Sequence, residues 1–199
     1  MPAAVVVPVK AFRTAKVRLA AALDPAARAE LARQMATLVV AAAAPLPVTV
    51  VCDDEEVAAW ARGLGVTVAW TPGLGLDGAV EAGVEAVAAT GADRVVVAHA
   101  DLPLARDLAP LADGPRDEVT LVPDRRQDGT NVIVLPARCG FRFAYGPGSF
   151  ARHRAEAARL GLAVRTIRDA RLGWDVDLPT DLDLPTEADL ARAAVADPT

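Results

Sequence analysis

Short valine-rich runs alternate along the chain with longer alanine-rich stretches of helical character. Residues 3–9 are followed by 25–44, 48–52 by 54–62, 66–70 by 77–90, and 94–98 by 104–112. The strand-like runs are almost unbroken by polar residues, as a parallel sheet covered on both faces requires, so this order predicts an α/β fold. Asp24 before Pro25 predicts a helix start with proline in the first turn, and Asp53-Asp54 and Asp77 are candidate caps for the next two helices. The second half is less regular. Strands are predicted over 118–122, 131–135 and 163–167, a helix over 149–160, and a Pro/Asp-rich stretch over 174–185 before a final helix. That irregularity predicts a mixed sheet with an antiparallel addition. No repeat or low-complexity linker interrupts the pattern, and 199 residues, 53% hydrophobic, suit a single domain spanning 1–199 with one core.

A formal net charge of −5 leaves no basic stripe for a nucleic-acid backbone, so no nucleic-acid partner is expected. Cys52 and Cys139 lie far apart without metal-ligand spacing, which suits a reducing, cytoplasmic setting. The amino terminus reads as a strand and not as a secretion signal. The most lipid-like stretch, 35–52, is broken by Pro45 and Pro47, so no membrane span is expected.

In an open α/β sheet, ligands bind at the carboxyl ends of the strands, which directs attention to the loops at 8–23, 71–78, 99–103, 124–130, 145–149 and 174–179. The first of these carries Lys10, Arg13, Lys16 and Arg18. Lys10 and Lys16 are the chain's two lysines, although Lys and Arg together number 21. Four cations beyond one strand end suit a triphosphate, and a solvated basic turn is the plainer alternative. No Walker A loop is present. Asp101, just past the fourth strand, is placed to hold Mg²⁺, or else to cap the segment after Pro103; His99 before it reads as a packed histidine. Asp175 and Asp177 point the same way in extended backbone and could serve a single metal or two adjacent metals together with Asp101, while Asp181 and Asp183 continue the pattern without an evident role. Thr130 and Asn131, and the segment Tyr145-Gly146-Pro147-Gly148-Ser149 that opens a helix, could form an uncharged anion site; an ordinary turn with a serine cap is the alternative. Ser149 has no histidine in a nucleophile-elbow setting and neither cysteine pairs with one, which disfavours covalent catalysis.

Taken in order, V-P-V-K, A-K-x-R-L, strand-D-L-P, D-G-T-N, Y-G-P-G-S-F and W-D-V-D-L-P resemble the guanylyltransferases that make the phosphoenolpyruvate or 2-phospho-L-lactate arm of the deazaflavin coenzyme F-420, over residues 5 to about 185. The resemblance implies a Rossmann-like three-layer α/β/α sandwich of the nucleotide-diphospho-sugar transferase type. It implies that GMP passes from GTP to the phosphate of phosphoenolpyruvate or 2-phospho-L-lactate, with 3-phospho-D-glycerate a further acceptor type. By similarity Lys10, Lys16 and Arg18 contact the triphosphate, with Lys16 and Asp101 the catalytic pair; Asp101, Asp175 and Asp177 hold Mg²⁺; and Thr130, Gly146 and Ser149 bind the acceptor. The family's Gly-Leu-Asn after the third strand is here Gly75-Leu76-Asp77, and Asp77 could accept from the guanine N1 and N2 hydrogens. The implied partners are small molecules, with a homodimer left open. Two other enzymes on the same fold are alternatives, a molybdopterin guanylyltransferase, whose first loop would differ, and a metal-dependent glycosyltransferase, whose D-x-D would not sit so late. A nucleotide-binding module without turnover is the third.

Overall fold

A computed structural model describes residues 2–196, with side chains described to residue 192. Seven strands form one sheet in the order β3-β2-β1-β4-β6-β5-β7. They are β1 Ala3–Pro8, β2 Val48–Cys52, β3 Thr67–Trp70, β4 Arg94–Ala98, β5 Glu118–Pro123, β6 Thr130–Pro136 and β7 Ala163–Thr166. Only β6 runs against its neighbours, pairing antiparallel with both β4 and β5. The remaining pairs are parallel. The antiparallel element is therefore inside the sheet, and its amino-terminal residues Thr130 and Asn131 lie beside the carboxyl end of β4.

The sheet sorts alternate side chains to two cores, as the two-residue period of a strand dictates. Val5 and Val7 of β1 join one cluster with α1 (Pro25–Ala42) and α2 (Glu55–Gly63). Ala4 and Val6 join another with α3 (Gly75–Ala89) and α4 (Ser149–Arg159). The result is the three-layer sandwich, completed in sequence by α5 (Glu187–Ala196). All five residues of β2 and of β4 are buried, whereas β7 at the sheet edge is exposed throughout. Helix α3 packs so closely that a Cβ on Gly83 would stand 2.5 Å from Val51 Cγ1 and 2.8 Å from Val6 Cγ1. None of the described helices is long and apolar enough to cross a membrane.

Two local expectations are corrected. The helix expected over 104–112 shrinks to one 3-10 turn, Ala109–Ala112. Pro110 has no N–H and would clash with the preceding turn, Asp107 takes a left-handed φ of 49°, and the Leu108 amide donates instead to Ala42 at the end of α1. The helix after β3 starts at Gly75, two residues before the expected cap, so Asp77 lies inside its first turn and its carboxylate serves another segment. Asp24 and Asp54 do cap their helices: Asp24 accepts from the Ala27 amide at 2.8 Å, and Asp54 from the Glu56 and Val57 amides.

Candidate active site

The loop after β1 returns along the carboxyl edge of the sheet and places its cations differently from one another. Arg13 turns away to pair with the helix cap Asp54 at 2.6 Å. Lys16 adopts a left-handed backbone, φ 55°, a conformation that costs a residue with a Cβ roughly 1 kcal/mol or more and is kept where surrounding contacts hold it. Here its ammonium donates to Asp101 Oδ2 at 2.7 Å and to Asp177 Oδ1 at 3.0 Å. Burial by itself would make that ammonium easier to deprotonate; the two carboxylates outweigh it and raise the Lys16 pKa. Asp101 is the mirror case: its burial favours the acid, but the Lys16 neighbour holds the pKa below its ordinary value. Arg18 stands 3.6 Å from the other oxygen of Asp177, and Lys10 is exposed at the end of β1.

The Asp175-Val176-Asp177 segment is fixed from both sides. The Val176 amide donates to the Asp101 carbonyl at 3.2 Å, tying the segment to the strand end. Beneath it, Asp181 has no exposed surface and accepts from the amides of Asp177 and Leu178 at 2.9 and 2.7 Å. Arg125 and Arg126 both donate to Asp181 as well. Burial alone would raise the Asp181 pKa, but those amides and guanidiniums offset it and hold the group at about 2. Arg125 also donates to the Asp175 carbonyl at 3.1 Å and lies over the Trp174 ring. The role that the sequence did not reveal for Asp181 is thus to anchor the D-x-D segment.

Across the cleft, the segment between β6 and α4 is held by Arg152, which donates to the carbonyls of Ala144, Tyr145, Gly146 and Pro147. Gly146 and Gly148 have φ of 96° and 73°, which only glycine takes at low cost. Gly148, not Ser149, occupies the capping position of α4, and Ser149 is buried in its first turn. Asp77 Oδ1 accepts from the Tyr145 amide at 2.8 Å, joining α3 to this segment. Asn131 ties β6 to the carboxyl-terminal region through Leu172, at 2.9 Å.

Of the ten site residues that the resemblance implies, nine meet in two adjoining clefts. One, of about 470 Å³, is lined by Lys10, Lys16, Arg18, Asp101 and Asp177. The other, of about 350 Å³, shares Arg18, Asp101 and Asp177 with it and adds Thr130, Ser149 and Asp175. Gly146 borders both. Asp77 borders neither; from its helix turn Leu76 reaches the first cleft. A separate, more apolar cavity of about 440 Å³ beside Trp174 contains none of these residues.

The carboxylates have the chemistry of a Mg²⁺ site. Asp101 Oδ1 and Asp175 Oδ1 are buried without a hydrogen-bond partner, and burial, followed by the charge of Asp101, raises the Asp175 pKa. Buried hard oxygen donors left without hydrogen-bond partners are what a divalent cation satisfies. Among the described residues no three acidic, histidine or cysteine side chains are grouped as metal ligands, and the Lys16 ammonium bridges Asp101 and Asp177. Residues whose role was not legible in the sequence are Arg152, Asp181 and His153. The last carried a signal: it is one of two histidines and lies one helical turn from Ser149, hence on the same face.

The sequence profile of the family described as "Guanylyl transferase CofC like" matches residues 3–186. A phosphoenolpyruvate guanylyltransferase of Rubrobacter xylanophilus is 38% identical over 181 residues, covering 87% of this chain and 88% of that protein. A 2-phospho-L-lactate guanylyltransferase of Methanothermobacter thermautotrophicus is 33% identical over 184 residues, covering 89% and 81%. Among solved structures, a Desulfovibrio desulfuricans G20 protein assigned to the nucleotide-diphospho-sugar transferases superposes with a TM-score of 0.74 at 19% identity, over 91% of this chain and 84% of that one. The CMP:2-keto-3-deoxy-manno-octonic acid synthetase complexed with CTP gives 0.60 at 16% identity, over 99% and 100%. These structures establish the nucleotidyltransferase fold, and the extent of the sequence match establishes more: the chain belongs to the CofC-like guanylyl transferase family.

Proposed function

We propose that the protein transfers GMP from GTP to the phosphate of phosphoenolpyruvate, with 2-phospho-L-lactate as the other acceptor of the same class, and releases pyrophosphate. The observation that carries the reading is the meeting of two clefts at one carboxylate-ammonium cluster: Lys16 lies 2.7 Å from Asp101 and 3.0 Å from Asp177, and both aspartates border both clefts. Phosphoenolpyruvate is placed first because the Rubrobacter xylanophilus relative, named for it, is more similar than the 2-phospho-L-lactate relative, at 38% against 33%.

A phosphate oxygen of the acceptor attacks the α-phosphorus of GTP. The new O–P bond forms as the bond to the bridging oxygen of the β-phosphate breaks, and pyrophosphate leaves with that electron pair. An ionised phosphate needs no general base, consistent with a cluster of carboxylates, cations and N–H donors without a nucleophile. The main barrier is bringing two anions together, so catalysis is positioning and charge compensation. Lys10, Lys16 and Arg18 take the triphosphate, and Thr130, Gly146 and Ser149 orient the acceptor. Asp101, Asp175 and Asp177 would hold Mg²⁺, which supplies charge neutralisation on the reacting phosphates. The Lys16 ammonium keeps the Asp101–Asp177 pair compensated until phosphates arrive as competing partners.

Mixing the protein with Mg²⁺, GTP and phosphoenolpyruvate and following pyrophosphate tests this. Release that requires both GTP and the acceptor is expected; GTP binding without release would indicate a nucleotide-binding module, and consumption of a nucleotide sugar a glycosyltransferase.

A further inference from the structure

His153 is fully buried, in α4, and both of its ring nitrogens are engaged. The Ala144 amide donates to Nε2 at 3.0 Å, and Nδ1 lies 3.0 Å from Thr130 Oγ1. A backbone amide can only donate, so Nε2 must present its lone pair. A neutral imidazole has one N–H, which then belongs to Nδ1, and Thr130 Oγ1 must accept from it. Burial, reinforced by His99 and Arg152, lowers the His153 pKa to about 4, so the ring stays neutral near pH 7. The rings of Tyr145, Phe141 and Phe143 surround it with centroids 5.0, 5.8 and 6.3 Å away and limit its rotation.

The consequence falls on Thr130. A threonine hydroxyl has one hydrogen, and a carbonyl or carboxylate behind it would draw that hydrogen inward. His153 instead supplies a hydrogen from behind and leaves the hydroxyl's own hydrogen for the cleft that Thr130 borders. The same histidine holds Ala144, next to Tyr145 and Gly146, so it sets both the height of the glycine-rich segment and the polarity of the hydroxyl facing it.

We propose that His153 is a positioning residue for acceptor binding: it fixes the Thr130 hydroxyl as a hydrogen-bond donor toward an anionic oxygen of the phosphorylated acid. This rests on the transferase reading of the site. Because a hydrogen bond to a charged group contributes more than one between neutral groups, loss of the directed donor should raise the acceptor KM about tenfold.

Two measurements test it. In protein labelled with ¹⁵N-histidine, long-range ¹H–¹⁵N spectra should show His153 as the Nδ1–H tautomer before any substrate is added; an Nε2–H tautomer overturns the proposal without depending on any variant. In turnover, His153→Gln, whose amide reaches the Nε2 position and can accept from Ala144 but carries its N–H groups one bond too far along the side chain to replace the Nδ1 donor, should raise the acceptor KM about tenfold and leave the GTP KM unchanged. His153→Asn, whose amide can replace the Nδ1 donor, should recover most of that loss. Thr130→Val should match His153→Gln, and the double variant should be no worse than Thr130→Val alone. Additive losses, or equal rises in both KM values, overturn the positioning role. Wild-type protein serves as the control: absence of acceptor-dependent pyrophosphate release there contradicts the transferase reading itself, whereas normal release with the wrong tautomer contradicts only the role of His153.

Discussion

At the residue scale, the site is a set of charges each held by a distinct neighbour, and substitutions should separate their roles. Removing Asp101 takes away the carboxylate shared by both clefts and leaves Lys16 with Asp177 alone. Asp101→Ala should therefore lower the rate of pyrophosphate release by a factor on the order of a hundred or more while the circular dichroism spectrum stays native, in line with the loss of one preorganised charge in a transfer site; near-normal turnover would remove Asp101 from the mechanism. Asp77→Ala asks a different question. Its Oδ1 accepts from the Tyr145 amide, so the expected result is a rise in acceptor KM with the GTP-over-ATP preference retained. Loss of that preference would return Asp77 to reading guanine. The legibility of these residues in the sequence was uneven for a physical reason. Lys10 and Asp101 stand just past strand ends, and Lys16 lies in the loop that leaves the first of them, where sequence position alone predicts the edge of the sheet. Asp181 has local partners in the Asp177 and Leu178 amides and His153 has its spacing from Ser149, but the pairing of Asp181 with Arg126 and Arg125 spans 55 and 56 residues and the contact of His153 with Thr130 spans 23, which no local pattern encodes.

At the element scale, the alternation of valine runs and alanine-rich helices was enough for the α/β class, because buried parallel strands leave little room for polar residues. It could not reveal that β6 is inserted antiparallel between β4 and β5, since pairing direction is set by how the connections return and not by composition. That insertion is what brings Thr130 and Asn131 beside the end of β4 and so beside Asp101. The chain crosses from β4 to the parallel β5 through residues 99–117, which hold one 3-10 turn and no α-helix; Leu102 and Leu108 are the fully buried side chains with which this crossover joins the core. The contact of α3 with β1 and β2 gives a direct test of element packing. Gly83→Ala would add helix propensity of about 1 kcal/mol, but its Cβ would enter the space of Val51 and Val6 at 2.5 and 2.8 Å. Overpacking of this kind costs roughly 1–3 kcal/mol, so a net loss of stability is expected, read as a fall of several degrees in Tm (about 2–4 °C per kcal/mol). An unchanged or higher Tm would mean that α3 lies further from the sheet.

At the scale of the whole molecule, acid stability reports on the buried network that joins the two halves of the site. His153 is neutral in the fold with a pKa of about 4, below its ordinary value of 6.5, so the unfolded chain binds the proton first. Its contribution is complete above pH 6.5 and is lost as pH falls toward 4, a decline of about 3 kcal/mol in unfolding free energy. Asp181, held at about 2, acts at lower pH: its contribution is present above the ordinary carboxylate range and disappears as pH falls toward 2. Urea midpoints across pH 7 to 4 should fall in wild type, with a smaller slope in His153→Gln; parallel slopes would contradict the buried neutral histidine. The central claim concerns chemistry, and ³¹P NMR of the protein incubated with Mg²⁺, GTP and phosphoenolpyruvate tests it most directly. The phosphoenolpyruvate resonance should be replaced by two mutually coupled phosphorus signals of a new diphosphate diester, formed together with one equivalent of pyrophosphate. GTP converted to GDP and inorganic phosphate, or an unaltered phosphoenolpyruvate signal under conditions where GTP binds, would contradict that claim.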